Sequence, residues 1–111
     1  MTLRHKLALD YAMQVLKSAE YKDIVHRVYL FGSCARGEER YHSDVDLLVI
    51  VIPDAEESVL RKLKTEVISD QRALPEVNIV FVRDSRYGSI SVLAHFDKNI
   101  RRDRILLWER R

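Results

Sequence analysis

Cysteine is all but missing from this 111-residue chain: Cys34 is the sole example, so no internal disulfide can form. No apolar run approaches the roughly 20 residues that a membrane-spanning helix needs, and no stretch has the pattern of a signal peptide. The expectation is a cytoplasmic protein. A dominant charge is missing too: 19 lysines and arginines against 17 acids leave a net +2 spread along the chain, which does not announce a nucleic-acid or membrane binder. Internal repeats and low-complexity tracts are absent. What is present is a hydrophobic content of 47%, ample for one core, and the expectation is a single domain over residues 1–111 with no room for a second.

The chain is organised around the stretch VYLFGSCARGEERYHSDVDLLVIVI, Val28 to Ile52. A short apolar run ends at Gly32-Ser33, a polar segment follows, and a longer apolar run opens with Asp44 and Asp46. This predicts a strand, a turn, a short helix or loop, and a second strand. Side chains alternate along a strand, so Asp44 and Asp46 share a face while Val45 points away. Two neighbouring carboxylates repel unless a cation lies between them, and Mg²⁺, held at about 2.0–2.1 Å by one or two carboxylates together with substrate phosphates, suits the pair. Gly32 allows close backbone approach to a ligand, Ser33 offers a hydroxyl and an N–H, and Arg36 offers a charge-assisted phosphate contact. Taken singly, a Gly-Ser turn and a solvated D-x-D strand end are ordinary features; on consecutive strands they form a combination.

Gly32-Ser33, ten residues, then Asp44-Val45-Asp46 resembles the G-S-x10-D-x-D signature of the polymerase-β-like nucleotidyltransferase superfamily. FGSCARG and SDVDLLV resemble its minimal nucleotidyltransferase branch, small domains often paired with a helical toxin-like partner. The resemblance implies an α/β (α+β) fold, a small mixed β-sheet flanked by helices. It implies Mg²⁺ held by Asp44 and Asp46, with ATP as the substrate and AMP passing to a hydroxyl acceptor. The acceptor is expected on a HEPN-type partner protein, making this chain the antitoxin of a toxin–antitoxin pair. Ser43 resembles the serine of the family's S-D pair, its hydroxyl bonding amides near Asp44. Family members commonly bring a third carboxylate from a neighbouring strand, and the matching position here is Asn78. An amide cannot act as a general base, although Glu76, two residues earlier on the same face, is a possible substitute. The alternative is therefore a catalytically degenerate binding module that neutralises its partner by contact. A polymerase fragment would need a template-binding domain and a strong basic face, both missing.

The remaining segments read as scaffold. Leu3, Leu7, Tyr11, Val15 and Ala19 recur every four residues to about Glu20, beside Ala12 and Leu16, and predict a helix with that stripe inward. Tyr21 to His26 reads as a polar bridge. The continuous apolar run Leu47 to Ile52 predicts a central strand covered on both faces. Pro53 ends it, Asp54 and Glu57 resemble a capping box, and Val59, Leu60, Leu63, Val67 and Ile68 predict a second buried helical stripe. Glu76 to Val82 alternates as a third strand, Ser91 to Ile100 reads as a shorter helix, and Ile105 to Trp108 as a short terminal strand. Cys34 lacks a base or second thiol and is not read as catalytic. His42 lies two residues before Asp44, within reach of a base or phosphate but equally a solvated loop residue. Arg101, Arg102, Arg104, Arg110 and Arg111 form a basic end, open to an acidic partner or RNA, or simply solvated.

Overall fold

The computed structural model describes residues 1–68, 74–83 and 102–110. The expected helix over Ser91–Ile100, the loop after Arg83 and most of the loop from Ser69 lie outside them. The elements are α1 (Leu3–Leu16), β1 (Val25–Phe31), α2 (Gly32–Arg36), β2 (Val45–Val51), α3 (Glu57–Glu66), β3 (Val77–Arg83) and β4 (Ile105–Glu109). The strands form a four-stranded mixed sheet in the order β3-β2-β1-β4. β1 runs antiparallel to both β2 and β4, whereas β2 and β3 are parallel. A parallel neighbour requires a crossover, and α3 supplies it.

β2 is the central strand that its unbroken apolar run predicts, with Leu47 to Val51 all buried. One face of the sheet, with Val28, Leu30, Leu47, Val49 and Ile79, packs in a single core with α1 and α3. The opposite face carries a second buried cluster of Tyr29, Leu48, Ile50 and Val82. Asp46 and Asn78 lie in phase with this second set, so the carboxylate site is on the face turned away from α1 and α3.

Several expectations need correction. α1 is phased differently: His5, Ala8, Leu9, Ala12 and Leu16 are buried, whereas Leu3, Leu7 and Tyr11 are 72%, 46% and 37% exposed. Two apolar rows compete on this helix, and the row of Ala8, Leu9, Ala12 and Leu16 is the one that joins the core. α1 also stops at Leu16, four residues early, because the chain enters a run of turns closed by the bonds from Ser18 N–H to Val15 O and from Tyr21 N–H to Ser18 O. Tyr21 is not part of a polar bridge: it is buried and donates its hydroxyl to Glu66 on α3, and β1 already begins at Val25. α3 starts at Glu57 with no side-chain cap from Asp54. The helix begins two residues later than a cap at Asp54 requires, with Glu56 at the N-cap position, and Arg83 donates to Pro53 O and Ala55 O and pairs with Glu57 at 2.9 Å. In the second stripe Leu60, Leu63 and Val67 are buried, while Ile68 is exposed.

Candidate functional site

The turn out of β1 is built on one glycine. Phe31 is extended, Gly32 has φ +74°, and the chain passes at once into α2. That backbone favours glycine, and space enforces the choice: a Cβ at Gly32 would come within 3.4 Å of Asp46 Cβ and 3.3 Å of its Cγ, and closer still to Oδ2. The Gly-Ser turn thus lies directly against the second carboxylate, and the two halves of the motif form one place. Gly37, φ +72°, ends α2, and Glu38 N–H reaches back to Ser33 O at 2.9 Å. Ser33 is half-buried, and no bond of its hydroxyl to another described residue is found.

Asp46 stands on β2 between Phe31 of β1 and Asn78 of β3, its register partners on either side. Asn78 Nδ2 donates to Asp46 Oδ1 at 3.3 Å. Asp44 is exposed and lies one residue before β2. Extending the β2/β3 register by one step sets Glu76 beside Asp44, and Val45 N–H donates to Glu76 O at 2.9 Å. The Asp46 carboxyl is held above its ordinary range, first by burial and then by the charge of Asp44, against the opposing pull of Asn78 and Arg36. A half-buried anion next to a second anion is a site that a cation relieves. Among the described residues no three His, Cys, Asp or Glu side chains gather as a metal cage. Two carboxylates completed by nucleotide phosphates remain a fitting donor set for Mg²⁺.

Two of the other candidates are engaged elsewhere. Arg36 is paired with Glu38 and Asp103, each at 3.1 Å, and is not aimed freely at the turn. Ser43 Oγ accepts from Arg40 N–H at 2.9 Å, closing the 40–43 turn, whereas an interaction beside Asp44 was expected. His42 is exposed, edge-on to Tyr41. Cys34 is buried, donates weakly to Asp44 O at 3.6 Å, and its thiol is pushed up to about 11 by burial, in keeping with a packing role. Of the basic C-terminal end, Arg102 pairs with Asp103 and Arg110 donates to Asp23 O.

One neighbour of the site was not read from the sequence. His5 is fully buried, and its Nε2 lies 2.8 Å from Ser43 O. The available signal was its phase: His5 precedes Ala8, Leu9 and Ala12 by three, four and seven residues, in line with the row that faces the core.

A glycine turn pressed against a D-x-D pair, at the mouth of the central strand of a small mixed sheet, defines a minimal α/β domain with an acidic site. More particularly, the chain belongs to the nucleotidyltransferase domain family, whose model matches residues 12–106. A search of curated proteins finds no match. Among solved structures, a Sulfolobus solfataricus protein assigned to the nucleotidyltransferases is similar at TM-score 0.62 and 20% identity, over 96% of this chain and 85% of that one. A toxin–antitoxin structure with AMP-PNP matches at TM-score 0.60 and 19% identity, over 92% and 73%. A mutant of the toxin–antitoxin pair MntA-HpeT matches at 0.58 and 22%, over 93% and 73%. At these identities the likeness shows the fold.

Proposed function

We propose that this domain transfers AMP from ATP to a hydroxyl on a HEPN-type helical partner protein, as the antitoxin of a toxin–antitoxin pair. The observation that carries the reading is the contact between the Gly32 turn and Asp46, with Asp44 beside it: phosphate-approaching backbone and paired carboxylates meet at one point. The family match supports nucleotidyl transfer, and the likeness to toxin–antitoxin structures, one of them with AMP-PNP, supports the choice of partner and nucleotide.

In this reading Asp44 and Asp46 hold Mg²⁺ together with the triphosphate. Bound there, the metal supplies neutralisation of the charge that develops on the transferred phosphoryl group and the pyrophosphate leaving group. Gly32 lets the backbone approach the phosphates, and the Ser33 hydroxyl and N–H donate to them. Arg36 acts on the site only through its charge near Asp46, which Glu38 and Asp103 offset by sharing its guanidinium.

A second reading has a specific observation in its favour. In the family resemblance Asn78 takes the place of a third carboxylate; here it is the register partner of Asp46 and donates a hydrogen bond to it, and its amide cannot take a proton from an acceptor hydroxyl. The alternative is a domain that binds nucleotide and restrains its partner by contact. Transfer of labelled AMP from Mg²⁺-ATP to the purified partner separates the two. Transfer that is lost in Asp46→Asn supports the enzyme, and protection of the partner with no label incorporated supports the binding module. General-base assistance is worth about 10²–10⁴-fold, so an enzyme limited by Asn78 should gain at least about tenfold in Asn78→Asp.

A further inference from the structure

The two carboxylates of the site are held in different ways. Asp46 lies within β2, laddered to β1 and β3, but Asp44 precedes the strand and is exposed. Its placement depends on whatever fixes the peptides around it. From one side Cys34 Sγ reaches Asp44 O, and Val45 N–H is bonded to Glu76 O. From the other side the beginning of α1 grips the connector before Asp44 at three points. Thr2 N–H donates to Glu39 Oε1 at 2.7 Å. The Arg4 guanidinium lies 3.9 Å over the Tyr41 ring and donates to Tyr41 O. His5 Nε2 meets Ser43 O at 2.8 Å, the carbonyl adjoining Asp44.

The His5 ring is fully buried, and one neutral tautomer satisfies both of its partners. A carbonyl oxygen only accepts, so Nε2 carries the hydrogen. Nδ1 lies 2.5 Å from Thr2 Oγ1, which itself accepts from His5 N–H at 3.2 Å, leaving the hydroxyl hydrogen for Nδ1. Thr2 thereby selects the tautomer that holds Ser43, as a partner on the far nitrogen of a histidine commonly does. We propose that His5, locked by Thr2, is a positioning residue for Asp44: it fixes the peptide entering the D-x-D pair, and so the readiness of Asp44 to share a divalent cation. The inference rests on the site reading given above and extends it to α1.

Supporting partners of metal ligands typically contribute about 10–100-fold in metal affinity. The test is equilibrium dialysis of the full chain with labelled ATP over a series of Mg²⁺ concentrations, well below the apo melting temperature, which is recorded for every variant. His5→Phe fills the buried volume without the N–H and should raise the half-saturating Mg²⁺ concentration about tenfold or more. His5→Gln, which can still donate, should recover part of the loss. Thr2 also caps α1, so the comparison uses glycine, which begins the helix at little cost but lacks the hydroxyl: Thr2→Gly should weaken Mg²⁺ dependence severalfold and Thr2→Ser should not. This last pair decides the matter if His5→Phe does not fold. A half-saturating Mg²⁺ concentration within twofold of wild type in folded His5→Phe, or equal values in Thr2→Gly and Thr2→Ser, overturns the inference if Asp46→Asn still abolishes binding. Undiminished ATP binding by Asp46→Asn would instead overturn the site reading, and this inference with it.

Discussion

The two left-handed glycines that bound α2 offer a paired experiment. Gly32 and Gly37 have nearly the same φ, +74° and +72°. A non-glycine residue in that region costs about 1–2 kcal/mol. For a chain of this length that corresponds to a melting temperature lower by about 4–8 °C, at roughly 4 °C per kcal/mol. The surroundings differ completely: a Cβ at Gly37 meets none of the described residues within 4 Å, whereas one at Gly32 runs into the Asp46 carboxylate. Gly37→Ala should therefore show the backbone cost alone and keep Mg²⁺-dependent ATP binding. Gly32→Ala carries the same cost plus overpacking of about 1–3 kcal/mol. It also turns Asp46 away from the turn, and so should lose ATP binding. Thermal unfolding of both apo variants, followed by the same scan with Mg²⁺-ATP, gives both quantities. Equal destabilisation with equal retention of the ATP shift would refute the claim that the turn and Asp46 form one site.

Asp46→Asn is expected to stabilise the apo protein at neutral pH. The folded pKa of Asp46 lies above its unfolded value, so the stability it contributes is present below the unfolded value and lost as pH rises through the raised one. The advantage of the Asp46→Asn variant over wild type should thus shrink as pH falls through the carboxylate range, and a melting-temperature gap independent of pH would contradict this. Cys34, buried with its thiol at about 11, should react slowly with a thiol reagent at pH 7.5 in the native state and quickly once unfolded; a fast native reaction would show that it is accessible. Leu63→Ala removes a fully buried α3 side chain and should cost about 2–5 kcal/mol in denaturant unfolding, while Leu3→Ala, on the exposed row of α1, should cost well under 1 kcal/mol. Similar losses would mean that the helix phase is wrong.

The parts of the fold governed by strand alternation and backbone necessity were legible in the sequence. Asp44-Val45-Asp46 at the mouth of an unbroken apolar run places the pair at the entrance of a buried central strand, and the alternation of Val77, Ile79 and Phe81 sets Asn78 on the opposite face. The phase of α1 was not legible, because its two apolar rows, Leu3-Leu7-Tyr11 and Ala8-Leu9-Ala12, are similarly hydrophobic and only the space above the sheet chooses between them. Pairings across long chain separations were hidden as well: Arg36 with Asp103, 67 residues on, and Arg83 with the turn before α3. His5 combined both difficulties: it is a polar residue on the row that the phase of α1 decides, and its partner, Ser43, lies 38 positions away.

The central claim is that Asp44 and Asp46, against the Gly32-Ser33 turn, form a Mg²⁺-dependent nucleotide site. Calorimetric titration of AMP-PNP tests it most directly, run in Mg²⁺ and in chelator on the wild type and on Asp46→Asn. Saturable binding by the wild type in Mg²⁺, lost in chelator and in Asp46→Asn, is the predicted result. Binding of equal affinity in chelator, or in Asp46→Asn, would contradict the account.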